Sequence, residues 1–172
     1  LVPIEIVGNI LRGEFFPPYC PFPVKGLRGS FRVTERMAAF TDLQGGLGSG
    51  EIAVTAAEVA LTEPWFFSGK RPRLASWKLF GSMKGFTVDR RLGKVVPPEL
   101  RRVLHKYGVD GTIGVDIKVP DSRTFPPHPE DISATVYLEG VDVVLDDFPY
   151  PVRDLRGELL IDEGRVKFAQ PV

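Results

Sequence analysis

Cysteine is close to absent from this chain. Cys20 stands alone among 172 residues, so no internal disulfide forms and the redox compartment is left open. Histidine is nearly as rare: His105 and His128 are the only two, and neither stands at metal-ligand spacing. No apolar run reaches the roughly 18 residues that a membrane-spanning helix requires. The first ten residues carry Glu5 and lack a basic lead-in, so they do not resemble a signal peptide. Gly-x-Ser-x-Gly, His-Glu-x-x-His and dinucleotide fingerprints are all missing. The glycine-rich run at 45–50 lacks the Gly-Lys-Ser/Thr ending of a phosphate cradle and leads into a strand pattern, so a loose turn is expected there. The neighbours Asp146-Asp147 and Glu130-Asp131 would point to opposite faces of a strand and cannot share a proton or a metal in the usual way. An enzyme would have to assemble its chemistry from scattered carboxylates. The expected class is non-enzymatic, with no cofactor and no metal site.

What is present is ordinary in amount and uneven in placement. The formal net charge is +0, yet residues 70–106 hold eleven basic side chains against two acidic, and residues 107–172 hold six against thirteen. One reading is a solvated basic face that attracts the acidic half of its own chain. The other is an anionic partner such as lipid headgroups. Nucleic acid is not expected, because Trp77, Phe80 and Phe86 are interleaved with apolar residues as in strands and no RNP-like or helix-turn-helix pattern occurs.

A fourteen-residue phrase occurs twice. Residues 20–33 match residues 148–161 without a gap, at an offset of 128, with six identities: Pro21/Pro149, Pro23/Pro151, Val24/Val152, Leu27/Leu155, Arg28/Arg156 and Gly29/Gly157. About one identity in fourteen is the chance expectation. The offset exceeds solenoid periods, so the repeating unit is a block of several strands. Proline stiffens the entry of each copy, the basic residue after Val24 or Val152 stays in solvent, and the leucine begins an apolar face. The glycine that follows permits a bend or close approach. No domain boundary is evident, and residues 1–172 read as one segment, roughly one period of a longer array.

Period-two alternation dominates the rest. Residues 51–61 read as a long strand in which the Ala56-Ala57 phase slip marks a bulge that restores one apolar face. Residues 112–119 alternate cleanly, and 131–145 and 155–161 continue the pattern. Glu163-Gly164 offers a hairpin turn before Val166 and Phe168. Residues 4–6 and 10–16 are shorter candidates. The proline-rich stretches 17–23 and 120–129 are expected as crossings or rims. One short α-helix is expected over 97–107, from Pro97-Pro98, Glu99 and the stripe Leu100, Val103, Leu104 and Tyr107, closed by Gly108.

The lead-ins at 23–29 and 151–157 resemble a recurring element of AsmA-like proteins, long bacterial envelope proteins related in design to TamB and to chorein-type bridge proteins. Leu155-Arg156-Gly157-Glu158-Leu159 running to Gly164-Arg165-Val166 resembles a hairpin of that family. Residues 40–52, with Leu43, Gly46, Gly48 and Gly50-Glu51-Ile52, are similar to its glycine-spaced element, and residues 100–119 to its helix, glycine, strand step. Residues 70–94 match none of its motifs. The resemblance implies a repeating antiparallel sheet curled into an open trough, anchored in the inner membrane and extending through the periplasm. Its apolar interior would hold acyl chains and carry phospholipid between membranes, with no cofactor and no catalytic residues.

The alternation is consistent with that picture. Roughly six strands at about 4.8 Å make a sheet nearly 30 Å wide, and a helix of about ten residues spans some 15 Å. One helix does not cover such a sheet. Either the sheet folds on itself into a closed β-sandwich, serving as a scaffold or adhesion domain, or it leaves a groove that something apolar fills. The groove residues expected from the alternation are Ile113, Val115, Ile117, Val136, Leu138, Val143, Leu159 and Ile161. The expected partners are phospholipid or another acyl-chain ligand and neighbouring repeats.

Overall fold

A computed structural model of the chain describes residues 4–16, 22–64, 73–89, 108–144 and 150–169. Nine strands follow one another in chain order: β1 (Glu5–Phe15), β2 (Val24–Thr34), β3 (Met37–Leu47), β4 (Gly50–Leu61), β5 (Leu74–Val88), β6 (Asp110–Ser122), β7 (Ser133–Val143), β8 (Val152–Asp162) and β9 (Arg165–Phe168). Each pairs antiparallel with the next, giving one meander sheet that curls but does not close into a barrel. This is the mainly β, open architecture that the alternation and the resemblance led us to expect. Among the described residues the only helical element is a 3-10 turn, Pro129–Asp131. The helix expected over 97–107 lies outside the described residues, as do Cys20, His105 and Asp146-Asp147.

The details depart from the expectation in four places. The sheet has nine strands rather than six, so its eight spacings of about 4.8 Å make it about 38 Å wide. The two short candidates near the start are one strand, β1, interrupted only by register shifts around Gly13. The expected loose turn at 45–50 is mostly strand: β3 runs to Leu47, and only Gly48 and Ser49 separate it from β4. Two of the glycines there, Gly45 and Gly50, serve close packing; a Cβ on Gly50 would lie 2.6 Å from the carbonyl oxygen of Lys84. Strand β6 continues through Pro120, one of the expected rim prolines, because the β5–β6 ladder is already irregular between its Leu79/Val119 and Trp77/Ser122 pairs.

The bulge expected at Ala56-Ala57 occurs one step earlier, at Thr55. The β4–β5 register shifts between Val54 and Ala56, which puts Val54 and Ala57 on the same face, opposite Gly81 and Leu79. The turn at Glu163-Gly164 has positive φ at both residues, 48° and 71°, as a two-residue hairpin favours.

The repeated phrase is a repeat of backbone as well as of sequence. The offset of 128 carries β2 onto β8 end for end, β1 onto β7 end for end, and the first residue of β3, Met37, onto the first of β9, Arg165. Register follows. Glu5 faces Thr34 as Ser133 faces Asp162, Ile10 faces Gly29 as Leu138 faces Gly157, and Gly13 faces Leu27 as Val141 faces Leu155. Positive φ recurs at Gly26 (63°) and Asp154 (53°), and at Gly29 (150°) and Gly157 (146°). Side chains in β1 and β7 share almost nothing, so the repeat is far longer in the backbone than in the sequence.

Candidate functional site

Cross-strand pairing sorts the side chains into a polar and an apolar face. On the polar face, Asp116 stands opposite Ser82 and Thr135, and Tyr137 opposite Glu158. Lys78 and Lys84, from the basic segment, stand opposite Glu58 and Glu51 of β4, with Lys78 Nζ 2.8 Å from Glu58 Oε2. This part of the basic segment is met by carboxylates of its own chain.

The apolar face is continuous across the sheet. One row runs Leu43, Val54, Gly81, Ile117, Ala134, Ile161, Val166 from β3 to β9. The next runs Gly45, Ile52, Met83, Val115, Val136, Leu159, Phe168. Ile113 and Leu138 pair in a third. Seven of the eight residues expected from alternation therefore lie side by side in adjacent rows of β6, β7 and β8. The eighth, Val143, lies farther along, at the strand end beyond Val141, and a bulge at Gly140 (φ 86°) keeps it on the same face as Leu138.

Burial is uneven along the strands. All eight of those residues are only half-buried, as are Ile52, Val54 and Met83. The buried apolar residues sit towards the two strand ends: Val24, Phe86, Val88 and Val141 at one, Ala38 and Val119 at the other. At the first end, Phe22 packs edge-on against Phe86 with ring centroids 5.9 Å apart. The β3–β4 turn is pinned beside them, since Thr87 N–H donates to Ser49 Oγ at 2.9 Å. At the second end, the segment after β6 folds onto Trp77. Phe125 lies 5.6 Å from its indole, Trp77 Nε1–H donates to the Thr124 carbonyl at 2.7 Å, and Ser122 Oγ–H donates to Asp131 Oδ2 at 2.8 Å. Aromatic pairs thus pack at each strand end beside β5, while the middle rows of the apolar face stay half-buried. The exposed surface of the chain, 12254 Å², exceeds the about 8,400 Å² of a compact globule of 19.1 kDa. A second sheet packed on this face would have buried the middle rows, and among the described residues none does.

Sequence reasoning missed the contribution of β5. Trp77, Leu79, Gly81 and Met83 alternate and could have been found by period two. The positive-φ Gly85 (64°) then breaks the phase before Phe86 and Val88. Ile52 and Val54 fall within the strand read over 51–61, but alternation does not align strands and so did not make them neighbours of Val115 and Ile117.

Ionisable groups converge only loosely. Among the described residues, no three His, Cys, Asp or Glu side chains come together to hold a metal ion. Two shallow clefts of about 490 and 440 Å³ involve polar-face side chains, the first with Arg28, Gln44, Glu51 and Lys84, the second with Asp116, Lys118, Tyr137 and Asp162. In the second, Tyr137 O–H donates to Asp116 Oδ2 at 2.9 Å. That hydrogen bond first, then burial and the negative charges of Asp116 and Glu158, hold the phenol above its ordinary 10.0. The neutral phenol is the form that the fold favours, so its contribution is complete below pH 10 and is lost as pH rises through the raised value. An NMR titration of the Tyr137 ring should show this, with the midpoint falling in Asp116→Asn. An unchanged midpoint in that variant would count against the assignment. No protein-family model, curated protein or solved structure matches the chain.

Proposed function

We propose that the chain is a lipid-holding segment of an AsmA-like trough in the bacterial envelope. Acyl chains of phospholipid lie across the strands along the apolar face, and neighbouring repeats extend the trough through the periplasm from an anchor in the inner membrane. The function is binding and conduction, without a catalytic step. One observation carries the reading: the apolar face runs from strand to strand in rows that are only half-buried between the buried residues near the strand ends. Such a face suits a long hydrocarbon chain. Each methylene taken from water contributes about 0.8 kcal/mol, so ten contribute about 8 kcal/mol without any directional contact.

The test is mass spectrometry of organic extracts from protein purified without detergent. Phospholipid or fatty acid should be recovered in amounts comparable with the protein. Recovery of none, together with no uptake of a fluorescent fatty acid by the purified chain, would overturn the reading.

A further inference from the structure

The backbone repeat says what belongs on the open edge of the sheet. In the second copy of the unit, β7 has β8 on one side and β6 on the other. In the first copy its equivalent, β1, has β2 on one side, in the same register, and among the described residues no strand on the other. This edge is eleven residues long, contains no proline and exposes Val7 (69 %) and Leu11 (81 %). Natural sheets usually shorten, bend or charge such an edge. The opposite edge strand, β9, has only four residues.

We propose that the outer edge of β1 is the acceptor for a strand of the β6 type, supplied by a neighbouring repeat of the same kind and added antiparallel. This rests on the array part of the proposed function and not on the lipid. The register follows by subtracting the 128-residue offset from the β6–β7 ladder. Because Ile113 faces Leu138, Val115 faces Val136 and Ile117 faces Ala134, the corresponding residues of the incoming strand face Ile10, Gly8 and Ile6. Its apolar side then continues the apolar face over Ile6, which is 48 % exposed at present. Gly8 accommodates the Phe31 ring, which stands 2.7 Å from where a Cβ on Gly8 would be.

The probe is a synthetic peptide of residues 110–122, added to the full chain freed of lipid, with amide hydrogen exchange read along β1. Alternate amides of β1 should slow by about tenfold or more. Two further peptides carry N-methyl groups on alternate residues, in opposite phase. One phase removes the donors that face β1, so one methylated peptide should lose the protection and the other keep it. Three results would overturn the proposal: no slowing in β1, equal behaviour of the two methylated peptides, or protection of β1 that grows with protein concentration and needs no peptide. The last would give the edge to a second copy of the chain. Because the protein is lipid-free throughout, failure here leaves the lipid reading untouched, and failure of lipid binding leaves this result interpretable.

Discussion

Gly111→Ala lowers the thermal midpoint by about 6–12 °C, whereas Gly85→Ala lowers it by about 2–4 °C. Both glycines have positive φ, 147° and 64°. They differ in what a side chain would meet. At 111 a Cβ would lie 2.5 Å from the carbonyl oxygen of Gly140 and 2.6 Å from the Cα of Val141. Those are backbone atoms of the neighbouring strand, so β6 and β7 must part. The strained φ costs about 1–3 kcal/mol, and the forced separation adds a similar amount. A total of about 3 kcal/mol, at about 2–4 °C per kcal/mol for a chain of this size, gives the stated shift. Nothing lies within 4 Å of a Cβ at 85, so the backbone term of about 1 kcal/mol stands alone. The position matters for the site as well, because Gly111 sits between Val88 (7 % exposed) and Val141 (2 %), in the sealed margin of the apolar face. Melting curves followed by circular dichroism decide the matter. Equal midpoints for the two variants would mean that the strand spacing at that margin relaxes freely.

Much of the fold was legible because strand alternation is a local property. Residues 112–119 announce β6 by themselves, and the Ala56-Ala57 slip announces its bulge. The copies of the repeated phrase, 20–33 and 148–161, cover nearly all of β2 and β8 together with the proline lead-in before each. What escaped was either masked locally or set by pairing. Strand β5 was hidden because Gly85 changes the phase within a basic, aromatic-rich stretch, so no single period covers it. The glycines at 45, 46 and 50 resembled turn residues, yet two of them are glycine because strands approach closely. A Cβ on Gly45 would stand 3.0 Å from Val24 Cγ1. The larger repeat was invisible in β1 and β7 because register is carried by backbone bonds, and the two strands share no identical residue at this offset.

The candidate site shows the same division. Alternation assigns each residue to a face, and it correctly grouped Ile113 with Val115 and Ile117, and Leu159 with Ile161. It does not say which residue of the next strand lies alongside. That is decided by register and by bulges, such as the one at Gly140, which keeps Val141 and Val143 on the face of Leu138. Nor does it say whether a face is covered. Core and groove residues have the same period and the same composition, and only the half-buried state of the middle rows separates them.

On the proposed function, Leu159→Asp should strip bound lipid from the chain and Leu160→Asp should not. The two residues are adjacent in β8 and identical in type, but they face opposite sides of the sheet. Leu159 pairs with Val136 in the apolar rows, while Leu160 pairs with Thr135 on the polar face and is 40 % exposed. A carboxylate at 159 would lie against hydrocarbon with no partner, at a cost on the order of 3 kcal/mol. That corresponds to roughly a hundredfold loss of affinity, enough to empty the site during purification. A carboxylate at 160 enters a surface already occupied by Asp116, Glu158 and Asp162 and touches no acyl chain. Both positions keep the strand exposed enough for the sheet to form, and near-ultraviolet circular dichroism checks that it does. Val115→Asp and Leu138→Asp, in neighbouring rows of the same face, should behave as Leu159→Asp does. The readout is the molar ratio of extracted lipid to protein. Equal ratios for the variants at 159 and 160 would mean that the lipid, if any, does not lie on this face, and the trough would then be a structural shape without that cargo.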